Sequence, residues 1–380
     1  MIPFIDLAAQ QKQIKPALDS AIAGVLAHGR YINGPEVAEL EKGLCAFSGA
    51  RNCIGVSNGT DALIAALQAY EIGPGDAIIT SPFTFFATVE AIMILGATPV
   101  FADIDPVTFN LCPESLEQTI KQVRSENNWN LRAIMPVDLF GLCADYDAIL
   151  PIANAHGLIV IQDSAQAFGA ATPDGKRAPT HGHIGTTSFF PAKPLGCYGD
   201  GGAVFTDDDE LAEKLRSIRV HGKGADKYDN VRVGQNCRLD TLQAAILIEK
   251  LKVYPCELEL RQRVATRYTE LIDKVNQQRG ERHFIAPSIP PNHVSAWAQY
   301  TLRVSNRAEV MQRLKSAGIP TVIYYRTPLH LAKACASLGH SEGDFPHAEA
   351  ASREVMSLPF HPYLDDEHIG LIVDQLQLDS

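Results

Sequence analysis

Val160-Ile161-Gln162-Asp163-Ser164-Ala165-Gln166 is a short apolar run that ends on a carboxylate. A run of this length, too brief for a buried helix, reads as a strand covered on both faces. Asp163 then stands just past the carboxyl end of a buried strand, where open α/β sheets place ligand groups. Upstream, Cys53–Val56, Ala77–Thr80, Thr98–Ala102, Leu131–Val137 and Leu158–Gln162 are runs of the same kind. Helical spacing lies between them, with Leu63, Leu67 and Tyr70 on one face and Leu116, Ile120 and Val123 on another. Strand–helix alternation over such a length predicts an α/β protein built on a mostly parallel sheet.

The flanking segments complete the pattern. Helices are expected over Gln13–Ala27 and around Val37, Leu40, Leu44 and Phe47. Thr187–Phe190 and Ala203–Phe205 read as strands around a glycine-rich connection. Leu239–Lys252 reads as a helix, and a long one follows with Val264, Tyr268, Leu271 and Val275 inward. Ala298, Tyr300, Leu302 and Val304 alternate as on a half-buried strand. Helices near Ala308–Ala317 and Asp366–Leu376 complete a smaller α+β unit. The expected division is a large domain over residues 1–250 and a small C-terminal domain over 251–380, joined inside a helical region.

Composition narrows the function classes. Of the 380 residues, 46% are hydrophobic and 20% charged, which excludes intrinsic disorder. Lys plus Arg number 33 and Asp plus Glu 44, a net charge of −11. Such acidity speaks against a nucleic-acid or anionic-membrane surface. No run approaches the ~20 apolar residues of a membrane span. Met1-Ile2-Pro3-Phe4-Ile5-Asp6 has no basic stretch followed by an apolar one, so no signal peptide is expected. The eight cysteines are scattered singly, without C-x-x-C pairs. That argues against zinc and iron–sulfur sites and fits reduced thiols in the cytoplasm.

Four local features carry chemistry, and each also has a plain structural reading. Ser57-Asn58-Gly59-Thr60-Asp61 is a small polar turn at a helix start, fit to hold a phosphate, or simply an N-cap by Thr60 or Asp61. Asp163 can hold a proton on a heteroaromatic nitrogen, or cap a following helix. Ser188-Phe189-Phe190-Pro191-Ala192-Lys193, before Pro194-Leu195-Gly196 and Gly199-Asp200-Gly201-Gly202, can keep Lys193 in a dry pocket where its amine forms a Schiff base. Otherwise Lys193 is a solvated surface lysine. Gly234-Gln235-Asn236-Cys237-Arg238-Leu239-Asp240 offers the Arg238 fork to a carboxylate or phosphate, or an Asp240 cap with Arg238 in a surface ion pair. Phe85 can stack on a planar ring, or be a core aromatic. Together, a phosphate cradle, an Asp for a ring nitrogen and a downstream lysine fit pyridoxal 5'-phosphate (PLP).

With these segments in hand the chain resembles the DegT/DnrJ/EryC1/StrS family of PLP-dependent sugar aminotransferases, which have the type I (aspartate aminotransferase) fold. The resemblance runs from Phe4-Ile5-Asp6-Leu7 through Gly34-Pro35-Glu36-Val37, Asn58–Leu63, Asp163–Gln166 and Ser188–Lys193 to Asn236–Asp240. It implies that Lys193 is the Schiff-base lysine, that Asp163 pairs with the pyridinium nitrogen and that Gln166 contacts the phenolic oxygen. It implies further that Gly59, Thr60 and Ser188 hold the phosphate, that Phe85 stacks on the ring, and that Asn236 reaches the phosphate of the other subunit's cofactor in a homodimer. L-glutamate and a nucleotide-linked keto sugar are the implied substrates.

The Gly196-Cys197-Tyr198-Gly199-Asp200-Gly201-Gly202, Arg232-Val233-Gly234 and Met356-Ser357-Leu358-Pro359 segments look most like members that aminate UDP-2-acetamido-2-deoxy-3-oxo-glucuronate for O-antigen. Arg238 is then the implied partner of the sugar carboxylate. C4 aminotransferases of UDP- or dTDP-4-keto-6-deoxy sugars share these segments. Where many members carry His-Tyr-Pro beside the substrate, this chain has Tyr324-Tyr325-Arg326. Ser164 replaces a frequent Ala, a change expected to be without consequence. A cysteine desulfurase would need a nucleophilic cysteine on a mobile loop, and Cys335, the one cysteine of the final hundred residues, carries no sign of activation; a non-catalytic sensor would be expected to lose Lys193 or Asp163.

Overall fold

The computed structural model describes residues 2–226, 228–279 and 283–377. Residue 1 and residues 378–380, the outer ends of the two expected domains, lie outside them. The chain runs α1 (Leu7–His28), α2 (Pro35–Ser48), β1 (Asn52–Val56), α3 (Gly59–Ala69), β2 (Asp76–Thr80), α4 (Ala87–Ile94) and β3 (Thr98–Phe101). It continues with α5 (Pro113–Glu126), β4 (Asn130–Met135), α6 (Tyr146–His156), β5 (Ile159–Asp163), β6 (Ile184–Ser188), β7 (Gly202–Thr206) and α7 (Asp209–Ile218). The last part is α8 (Thr241–Arg279), β8 (Phe284–Ile285), β9 (Tyr300–Val304), α9 (Arg307–Ser316), α10 (Pro346–Glu354), β10 (Val355–Leu358) and α11 (Asp366–Gln377).

Seven strands form one sheet in the order β1-β7-β6-β5-β4-β2-β3. Only β7 runs antiparallel to its neighbours. The mostly parallel sheet expected from the apolar runs is therefore present. Helices cover both faces. The inward faces of α3 and α7 close one side around Leu63, Leu67, Leu215 and Ile218. Leu116, Ile120 and Ile149 of α5 and α6 pack on Ile134 and Val160. A second, antiparallel sheet β10-β9-β8 packs with the far half of α8, α9 and α11 around Tyr268, Tyr300, Leu314 and Ile372.

Three elements depart from the sequence expectations. α1 starts at Leu7 rather than Gln13, because the Asp6 carboxylate accepts the Ala9 N–H at 2.9 Å and caps it there. The expected strand Thr187–Phe190 is Ile184–Ser188. Its pairing with β7 ends at Ser188–Gly202, and Phe190 N–H then turns back to the Ser188 hydroxyl at 3.2 Å. The two helices expected after residue 239 are one helix of 39 residues that continues through Pro255. A buried stripe of Leu247, Tyr254, Val264 and Tyr268 holds it together across the proline. Position 250 thus lies within an unbroken helix.

Candidate active site

β1, β4, β5 and β6 all deliver their carboxyl ends to one edge of the sheet, and the candidate residues follow those ends. Asp163 is the last residue of β5 and is almost wholly enclosed. It caps no helix. One oxygen, Oδ2, accepts the Thr88 hydroxyl at 2.8 Å, and Oδ1 accepts the Ala165 N–H at 3.2 Å. Burial pushes its carboxyl above the usual range, and those two bonds and the Lys193 charge pull it back. Thr88, itself bonded to Thr84 at 3.1 Å, belongs to no motif. A buried threonine in the apolar stretch of α4 is the signal that could have found it.

Lys193 sits on the turn after β6, half-buried. Burial lowers its ammonium pKa, and the Asp163 carboxylate opposes that shift. It is not a solvated surface lysine. The turn is pinned from α8, where the buried Lys250 donates to the Gly196 carbonyl and Gln243 Oε1 accepts the Tyr198 N–H at 2.9 Å.

Asn58, rather than Thr60 or Asp61, caps α3: its Oδ1 accepts the Asp61 N–H at 2.8 Å. Asp61 in turn takes the Ser57 hydroxyl and the Asn58 amide. The first-turn N–H groups at Gly59 and Thr60 are left as donors at the positive end of the helix. A Cβ on Gly59 would lie 2.7 Å from Ser188 Cβ, so the Ser188 hydroxyl closes directly on this turn. Side-chain-free backbone, a helix N-terminus and a hydroxyl are a donor set for a phosphate. With an enclosed carboxylate and an amine of lowered pKa beside it, the residues present fit PLP.

Gln166 Oε1 accepts the Phe140 N–H at 2.8 Å, and its Nε2 donates to the Tyr325 hydroxyl at 3.0 Å. Tyr325 therefore stands beside Gln166, while the Tyr324 ring lies 5.8 Å from that of Tyr325 and 6.5 Å from that of Phe4. Phe85 is 57% exposed, with its ring 6.3 Å from that of Tyr325, and is not a core aromatic. Arg238 pairs through its backbone with Val56 at the end of β1. No acidic side chain among the described residues forms an ion pair with it. Asn236 is exposed and pairs through its backbone with Val220. Cys335 is fully buried and its thiol is pushed up by burial, the opposite of an activated nucleophile. Among the described residues no His, Cys, Asp or Glu group could hold a metal, and no helix is long and apolar enough to cross a membrane.

A lysine on the turn after a strand, an enclosed carboxylate and an anion cradle on a mostly parallel sheet define a PLP-dependent transferase of the aminotransferase kind. A model of the DegT/DnrJ/EryC1/StrS aminotransferase family matches residues 12–377. The chain is 48% identical over 372 residues to the UDP-2-acetamido-2-deoxy-3-oxo-D-glucuronate aminotransferase of Pseudomonas aeruginosa, covering 98% of each. A DegT DnrJ EryC1 StrS aminotransferase from Brucella abortus, known from a crystal structure, matches with a TM-score of 0.95 at 46% identity over 99% of both chains. NtdA of Bacillus subtilis, solved with bound cofactor PMP, matches with a TM-score of 0.85 at 30% identity, covering 98% of this chain and 83% of NtdA. The chain belongs to the DegT/DnrJ/EryC1/StrS aminotransferase family, and its cofactor is PLP.

Proposed function

We propose that this chain moves an amino group from L-glutamate to the C3 ketone of UDP-2-acetamido-2-deoxy-3-oxo-glucuronate, supplying lipopolysaccharide O-antigen synthesis in the cytoplasm. The observation that carries the reaction type is Lys193, an amine of lowered pKa set against the enclosed Asp163 carboxylate. The 48% identity to an aminotransferase of that sugar supports the acceptor. Bound PLP supplies an electron sink for the charge that develops on the donor carbon.

The side chains then divide the work. Lys193 Nζ takes the proton from the donor's Cα and redelivers it. Asp163, oriented by Thr88 and the Ala165 N–H, keeps the ring nitrogen protonated. Gly59, Thr60 and Ser188 hold the phosphate, Phe85 covers the ring, and Gln166 reaches the phenolic oxygen with the amide hydrogen that Tyr325 does not use. Arg238 offers its two-pronged fork to the uronic carboxylate of the acceptor in the neighbouring subunit, and Tyr324 and Tyr325 are further substrate contacts.

The working form is a homodimer of two-domain subunits, 1–250 and 251–380, with Asn236 reaching across to the phosphate in the other subunit. Exposed apolar side chains at Phe190 and Val233, and at Tyr31 and Ile32, whose backbone pairs with Thr241 and Asp240, support a covered face there.

A glutamate-dependent amination screen over UDP- and dTDP-linked 3-keto and 4-keto sugars tests this. Amination of the UDP-linked 3-keto uronate ahead of all others is expected. Preference for a 4-keto-6-deoxy sugar would replace this acceptor with that one.

A further inference from the structure

Asp138 is a second enclosed carboxylate beside Asp163, and none of the roles above uses it. It lies beyond β4 with no exposed surface. Its backbone N–H donates to the Asp163 carbonyl at 2.9 Å, and the Asp163 N–H donates to the Pro136 carbonyl at 3.0 Å. The two carboxylates thus leave adjacent strand ends. Asp138 Oδ1 accepts the Ala144 N–H at 2.9 Å and the Tyr146 hydroxyl at 2.8 Å. Its Oδ2 accepts Gln162 Nε2 at 2.7 Å and the Ser164 hydroxyl. Four donors are what a buried carboxylate needs in place of water. Burial still raises its carboxyl to about 6, against the pull of those donors.

Ser164 is equally enclosed and lies between Asp163 and the Ala165 N–H that orients Asp163. Its own backbone N–H donates to the Thr186 carbonyl at 2.9 Å, tying the turn to β6. Gln166, on the same turn, is held by the N–H of Phe140, two residues past Asp138. Segments 138–140 and 163–166 are therefore laced together by three bonds: Asp138 N–H to Asp163 carbonyl, Ser164 hydroxyl to Asp138, and Phe140 N–H to Gln166. Only the middle bond depends on having a hydroxyl at 164, and alanine there removes it.

We infer that Asp138 and Ser164 are positioning residues, their mutual hydrogen bond holding the Asp163–Gln166 turn so that the Asp163 carboxylate meets the ring nitrogen of PLP. This rests on the reading of Asp163 given above. The serine expected to be without consequence is, on this inference, matched to the aspartate at 138.

The test compares wild type, Ser164→Ala, Asp138→Asn, the double variant and Asp163→Asn, each loaded with PLP. Three quantities are read: the PLP dissociation constant, the pH midpoint of the bound cofactor's visible band, and the thermal midpoint of the cofactor-free protein. Ser164→Ala is expected to weaken PLP binding by roughly threefold to tenfold, the scale of one lost hydrogen bond to a charged group. It should also displace the band midpoint in the direction that Asp163→Asn displaces it. Adding Asp138→Asn to Ser164→Ala should change the midpoint less than Asp138→Asn does alone, because one bond is lost in both. If Ser164→Ala lowers only the thermal midpoint and leaves affinity and band untouched, the network is packing and the inference is wrong. Should Asp163→Asn itself leave the band where it is in wild type, the ring-nitrogen reading falls and takes the inference with it. If Asp138→Asn does not fold, Ser164→Ala alone decides.

Discussion

At Asp163 the environment carries the chemistry. The carboxylate is enclosed, its pKa is pushed up by burial, and one hydroxyl and one N–H aim it. An amide in its place keeps the shape and loses the charge that stabilises a protonated ring nitrogen. Asp163→Asn should therefore retain PLP and lose at least about a hundredfold in turnover, or ~2.7 kcal/mol of barrier. Single-turnover kinetics with glutamate would show it, and a rate near wild type would mean that the nitrogen is not partnered there. Arg238 makes a parallel case for the sugar. A lysine has no planar fork, so Arg238→Lys should weaken a uronate acceptor while sparing the glutamate half-reaction. Equal harm with a neutral sugar would remove the carboxylate role.

Among the elements, α3 shows how closely the cradle is built. Its first residue has no room for a side chain, since a Cβ on Gly59 would meet Ser188 Cβ at 2.7 Å. Gly59→Ala must push the strand end carrying Ser188 away from the helix start. PLP affinity should fall by roughly tenfold or more with the fold retained. Equilibrium dialysis checks this, and unchanged affinity would place the phosphate elsewhere.

The strand ends, the glycine turn and the lysine were legible because each is a short local pattern: an apolar run, a small polar turn, a lysine before glycines. Thr88, Asn58 and Asp138 were not, because their roles depend on which strand ends lie side by side. Helix α8 was misread for a similar reason. Pro255 breaks the local pattern, and only packing on both halves keeps the helix continuous. The strand Val355–Leu358 carries no alternation because all four residues are buried.

For the whole molecule, two of the enclosed histidines, those with the largest shifts, make stability fall in acid. Burial lowers both His181 and His361 from 6.5 to about 4. The unfolded chain therefore binds more protons than the folded one between those values. Their contribution is complete above pH 6.5 and is lost as the pH falls toward 4. Asp138 works the other way, since its carboxyl is raised from 3.8 to about 6, and its ionisation lowers stability as the pH climbs through that interval. Neither ring nitrogen of His361 has a hydrogen-bond partner among the described residues. His361→Gln should thus flatten the fall of the thermal midpoint between pH 6.5 and 4, and an unchanged slope would show that His361 is already charged in the fold.

Assembly can be read separately, by mixing inactive Lys193→Ala and Arg238→Ala subunits. Hybrid dimers should recover some activity, because Arg238, as proposed, serves the neighbouring subunit's site and one hybrid site then receives both intact groups; hybrids that form and remain dead would make that assignment wrong.

The identity of the cofactor lysine is open to one direct measurement, borohydride reduction of the PLP-loaded protein followed by peptide mapping. Among the described residues two lysines have a pKa lowered by burial, Lys193 on the turn after β6 and Lys250 on α8, the latter at about 8. Of these two, Lys193 is the one that faces Asp163, so the reduced label is expected on the Ser188–Lys193 peptide alone. Label on the Lys250 peptide, or none, would contradict the site.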